Sequence, residues 1–153
     1  QMMLALDYEG DSDLSAIPLP PVETFLVVHP EHPLSQPSSP LDRAALSDHV
    51  ELVVVDSADG AGAGRHRLFL GSPHVFEVSD FHSKREALLS RVGFGWLPLH
   101  LAEPHLASGE LVEVPFEEGS RHTLQPHLVV RQSAATGPAC RLFMELLREA
   151  IAP

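Results

Sequence analysis

Ser79-Asp80-Phe81-His82 sets two hydrogen-bond donors, a carboxylate and an aromatic ring in consecutive positions, the composition of a loop that contacts a small molecule. The four stand where the apolar run Val75, Phe76, Val78 gives way to helical spacing in Phe81, Leu88 and Val92, so a strand feeds a helix. Such a junction directs free backbone N–H groups and the positive end of a helix dipole to the carboxyl edge of a sheet, where open α/β folds bind ligands. Ser79 and His82 then donate hydrogen bonds, Phe81 lines an apolar wall, and Asp80 rejects anions or binds an amine. In the competing reading, Ser79, Ser83 or Asp80 caps the helix and Phe81 is core. By the same edge rule Asp7 and Tyr8, which follow the short apolar run Leu4-Ala5-Leu6, are candidates from a second element. Gly93 and Gly95 close the helix, and glycine's access to left-handed backbone lets the chain turn into Trp96, Leu97 and Pro98.

Other chemistries find weaker support. His29 with His32, and His100 with His105, are paired imidazoles, but Pro30 and Pro104 interrupt them, so neither pair presents a fixed two-ligand face and no metal is expected. The glycines at 93 and 95 follow a helix instead of opening one, and Gly60, Gly62 and Gly64 lack the Lys-Ser/Thr ending of a phosphate loop, so no nucleotide cofactor is expected and the latter stretch reads as a linker. Ser, His and Asp occur without a nucleophile elbow, which argues against an enzyme. Cys140, the only cysteine, falls in the apolar pattern of a helix and suits a reducing compartment.

With 44 % hydrophobic and 20 % charged residues among 153, the chain has a globular composition despite its 14 prolines. No apolar stretch reaches the roughly 20 residues that cross a bilayer. A formal net charge of −11 and the lack of a Lys/Arg cluster exclude a grip on DNA by this stretch itself.

The elements that must hold the loop alternate in an α/β manner. Leu4-Ala5-Leu6 reads as a strand, and the proline-punctuated stretch up to Pro21 as extended chain. Thr24 to Val28 is apolar without alternation, which predicts burial on both faces in a largely parallel sheet. A short helix around Leu41 to Leu46 precedes a strand at Val50 to Val55; a helix or turn around Leu101 to Leu106, stopped at Ser108-Gly109, precedes another at Leu111 to Val114. His127 to Arg131 supplies a further strand, and Pro138 to Ala150 an amphipathic helix with Leu142, Phe143, Leu146, Leu147 and Ala150 on its inner side.

Three segments, Phe25 to Leu34 (FLVVHPEHPL), Gly93 to Pro98 (GFGWLP) and Leu106 to Val112 (LASGELV), with the terminal helix, resemble the effector-binding domain of LysR-type transcriptional regulators in order and spacing over nearly the whole chain. The resemblance implies a periplasmic-binding-protein-like α/β fold of two Rossmann-like lobes joined by two crossover strands, here Thr24 to Val28 and about Leu111 to Val114. Residues 1–24 and 115–153 would form part of lobe I, left incomplete, and residues 25–114 lobe II. It further implies a small-molecule effector between the lobes, a homodimer or tetramer in the cytoplasm, no membrane, no catalysis, and DNA contact only through a winged helix-turn-helix. That module, its linker helix and the first strand–helix–strand of lobe I have no counterpart in this stretch, which therefore reads as a fragment lacking some hydroxyl groups of the effector site. A solute-binding component of a transporter shares the fold and is the rival reading, with a metal-dependent enzyme using the histidines as a third.

Overall fold

The computed structural model describes residues 2–6, 14–37, 39–55, 68–131 and 137–151. The chain divides into two compact units, Gln1–Val22 with Thr123–Pro153, and Glu23–His122. Asp7, Tyr8 and the Gly60–Gly64 linker lie outside the described residues, as does the side chain of Cys140.

In the second unit, strands β3 (Val22–Val28), β4 (Glu51–Val54), β5 (Val75–Val78), β6 (Phe94–Pro98) and β7 (Val112–Glu113) form a sheet in the order β5-β4-β6-β3-β7, with β8 (Arg121–Leu124) also paired to β3. β4 runs parallel to β5 and β6. The expectation of a parallel setting for β3 is corrected: it is antiparallel to both β6 and β7. Its unbroken apolar run reports cover on two faces, whatever the direction of its neighbours. Leu26 and Val28 pack on one face with Leu34, Leu46, Phe94, Trp96, Val114 and Phe116. Val27 packs on the other with Leu52, Leu97, Leu88 of helix α2 (Phe81–Leu89) and Ala102 of helix α3 (Leu99–Ser108).

The expected helix near Leu41 is α1 (Arg43–Ser47), started by Asp42, whose carboxylate accepts the Ala45 N–H at 2.8 Å. Pro104, expected to interrupt, sits inside α3, which continues to a left-handed Gly109 at φ 77°. A proline deletes one helical N–H bond, and Ala102, fully buried against the sheet, keeps the helix docked in spite of it.

The first unit holds an antiparallel sheet in the order β1-β9-β2, with β9 (Pro126–Arg131) between β1 (Met2–Leu6) and β2 (Leu14–Pro18), and helix α4 (Pro138–Ile151). On α4 the expected inner residues Leu142, Phe143 and Leu146 are exposed, and so is Ala150. Periodicity identifies the apolar side of a helix and says nothing of whether its own chain covers it.

Candidate functional site

Helix α2 begins with a closed set of hydrogen bonds. Asp80 is the residue before its first turn: one carboxylate oxygen accepts the Ser83 N–H at 2.8 Å, and the other accepts the Ser79 and Ser83 hydroxyls at 2.9 Å each. These bonds, the Ser83 N–H foremost, hold the carboxyl down at about 2. Ser79, Asp80 and His82 are exposed and Phe81 is half-buried. The hydroxyl of Ser79 is thus already given to the cap.

Gly93 and Gly95 serve close approach, a correction to their expected role at a left-handed turn. The left-handed residue after α2 is Arg91, at φ 64°. A Cβ on Gly93 would stand 2.1 Å from the Val50 carbonyl oxygen, and one on Gly95 would stand 2.8 Å from Lys84 Cε and 2.9 Å from the Leu52 oxygen. The two glycines let β6 enter beside β4 and make room for a side chain crossing the sheet face. Pro98 is buried at the last position of β6, just before α3.

Beside β4 and β6 lies a narrow recess with a cavity volume of about 20 Å3, lined by Thr24, Glu51, Leu52, Val53, Val54, Leu68, Phe69, Phe81, Lys84 and Trp96. Phe81 is thus brought to the site; Ser79, Asp80 and His82 are not in its lining. Glu51, 2 % exposed, accepts the Leu70 N–H at 2.8 Å and the Ser72 N–H at 3.2 Å, tying the segment before β5 to β4. Burial raises its pKa, against those two bonds and the charge of Lys84. Thr24 donates its hydroxyl to the His122 carbonyl at 2.9 Å.

Lys84 is 5 % exposed and runs over Gly95, with Nζ 6.0 Å from the Phe81 ring centre. Burial lowers its pKa to about 8, opposed by the charge of Glu51. The ammonium is therefore still the main form at neutral pH. No described carboxylate comes within ion-pair distance of it, unlike Arg43 on Glu118 at 2.6 Å and Arg121 on Glu113 at 3.0 Å. The indole N–H of Trp96 is buried without a hydrogen-bond partner among the described residues.

Lys84, Glu51 and Thr24 carry no motif that singles them out, whereas Trp96 stands in the GFGWLP segment and reads as packed beneath the crevice. A signal for Lys84 existed: it is the only lysine beside nine arginines, and it falls between Phe81 and Leu88 on the apolar stripe of α2. Trp96 is likewise the only tryptophan.

The histidine pairs are occupied locally. His29 and His32 each accept a backbone N–H, from Glu31 at 3.1 Å and Leu34 at 3.2 Å, and His105 pairs with Glu110 at 2.9 Å. The ring of His32 meets His49 edge-on at 4.9 Å, and burial first, then His49 and His29, lowers its pKa. No group of three metal-ligating side chains occurs among the described residues.

Comparison with known proteins gives a consistent answer. The family model for the LysR substrate binding domain matches residues 2–152. The chain is 37 % identical over 92 residues to the uncharacterized HTH-type transcriptional regulator YeeY of Escherichia coli, covering 60 % of this chain and 29 % of that one. It is 34 % identical over 104 residues to the HTH-type transcriptional activator AllS of Klebsiella pneumoniae, covering 68 % and 38 %. The chain thus spans under two-fifths of these relatives. Among solved structures, the CcmR regulatory domain of Synechocystis in complex with 2-PG superposes with TM-score 0.68 at 15 % identity, over 98 % of this chain and 73 % of that one. The CrgA regulatory domain of Neisseria meningitidis does so with 0.66 at 23 %, over 99 % and 75 %. The matched domain is the sensing part of transcription factors and not an enzyme. This chain belongs to the LysR substrate binding domain family.

Proposed function

We propose that the domain binds a small effector in the recess beside β4 and β6 and passes its presence to a winged helix-turn-helix elsewhere in a cytoplasmic homodimer or tetramer. The observation that carries this reading is the recess itself, which joins Phe81 at the start of α2 to buried polar groups of β4, β6 and α2. A concave, mostly apolar site with a few convergent polar groups is the usual form of a ligand pocket. The solved CcmR domain of the same fold was captured with 2-PG, which supports an effector of metabolite size here. Ser79, Asp80 and His82, which border the same helix start, contact the effector outside the recess; Asp7 and Tyr8 remain candidates by their sequence position alone. The exposed Leu142, Phe143 and Leu146 of α4 support a contact with a second copy. Sensing then requires that the effector bind two states of the domain unequally.

A thermal-shift screen of the full chain against organic acids, amino acids, sugars and phosphate esters tests the reading. One class is expected to raise Tm saturably, since a ligand at 100 times its Kd stabilises by about 2.7 kcal/mol. Absence of any saturable shift at 10 mM ligand, roughly the upper range of metabolite-scale affinities, would sink it.

A further inference from the structure

Resting on that reading, we infer that the recess selects ligands with an anionic oxygen head, a carboxylate or a phosphate, held by the ammonium of Lys84 and the indole N–H of Trp96. Lys84 is nine-tenths buried with no described carboxylate at contact distance, and Trp96 buries a donor that has no acceptor among the described residues. A buried cation without a contacting counter-charge, and a buried N–H without a partner, are each costly to keep. Both residues line one recess, so an acceptor-rich anion that enters it meets Lys84 and Trp96 together.

The neighbouring charge does not fill this role. Glu51, which faces Lys84 from β4, already receives the Leu70 and Ser72 N–H groups and stays beyond ion-pair distance. The contrast with a second recess is direct: Arg43 and Arg121, which line it, each hold a carboxylate already. The shape of the amine also matters. A lysine stem passes over Gly95, where a Cβ would come within 2.8 Å of its Cε, and its compact ammonium suits a point contact with an oxyanion. Neutral sugars would leave the cation uncompensated, and cationic ligands would be repelled by it.

The only indole in the chain is the reporter. The full chain is titrated with acetate and, separately, with inorganic phosphate, while the Trp96 indole 15N–1H resonance is followed. A saturable shift is expected with at least one anion: acetate alone identifies a carboxylate head, phosphate alone a phosphate head, and both a general oxyanion site. Lys84→Met is expected to weaken binding at least tenfold. No saturable shift with either anion up to 100 mM, or wild-type affinity in Lys84→Met, overturns the inference. Should that variant fail to fold, acetate binding to the wild type is measured from pH 7 to 10. Affinity falling about tenfold per pH unit above the ammonium's pKa supports Lys84, and a flat profile overturns it. The outcome is separable from the effector reading: a metabolite that stabilises the domain equally in wild type and Lys84→Met leaves the sensing role intact and removes this one.

Discussion

One helix carries two kinds of polar site. At the start of α2, Asp80, Ser79 and Ser83 are exposed and satisfy one another. One turn later, Lys84 is buried and has no contacting counter-charge among the described residues. Completed hydrogen bonds at a helix end fix the helix and leave little for a ligand to gain. An uncompleted pair of buried donors does the reverse, since it weakens the free domain and rewards an arriving acceptor. Hydroxyl-rich loops attract attention as binding sites; here the loop also fastens its helix, and the proposed anion contact falls on the interior lysine.

The largest effect expected in breaking this comparison falls where β6 enters beside β4. Gly93→Ala puts a methyl 2.1 Å from a backbone oxygen that cannot rotate away, and should cost about 3 kcal/mol or more. The urea midpoint should drop sharply while the Asp80 cap is untouched.

The pH dependence of stability isolates Lys84. Its pKa falls from 10.5 to about 8 on folding, so between those values the unfolded chain holds the extra proton and stability rises with pH. The gain approaches about 3 kcal/mol across that window. Urea unfolding of wild type against Lys84→Met from pH 8 to 10.5 should show the rise in the first and its loss in the second. Parallel curves would place the ammonium in solvent.

The smallest effect belongs to the cap. Asp80→Ala should lower Tm by roughly 5 °C, with Asp80→Asn recovering part of the loss. Because folding depresses this carboxyl from 3.8 to about 2, its contribution is complete above the higher value and fades as pH falls towards the lower. Equal Tm for wild type and Asp80→Ala at neutral pH would show that the cap does not fasten α2.

Much of the fold is legible locally. The apolar spacing of Phe81 and Leu88, the run Phe25 to Val28, and Gly109 after α3 each encode an element or its end, because helix and strand periods and left-handed stops are short-range properties. β8 has no such signature: Arg121-His-Thr-Leu124 lacks apolar alternation and becomes a strand only through β3. The loop before α2 stands out by its composition, and Phe81 with it, whereas Glu51 and Lys84 have the local sequence setting of ordinary charged residues. Their burial depends on Gly95 and on β4 and α2 meeting across more than thirty positions of sequence.

By itself the sequence determined the α/β alternation, the cap-bearing junction before α2 and the kinship carried by its three motifs, all of which are written in neighbouring residues. Only the tertiary structure decided the antiparallel partners of β3, the close-approach role of Gly93 and Gly95, and the interior setting of the single lysine. Strand partners and the solvation of a charge are set by residues distant along the chain, and no local pattern records them.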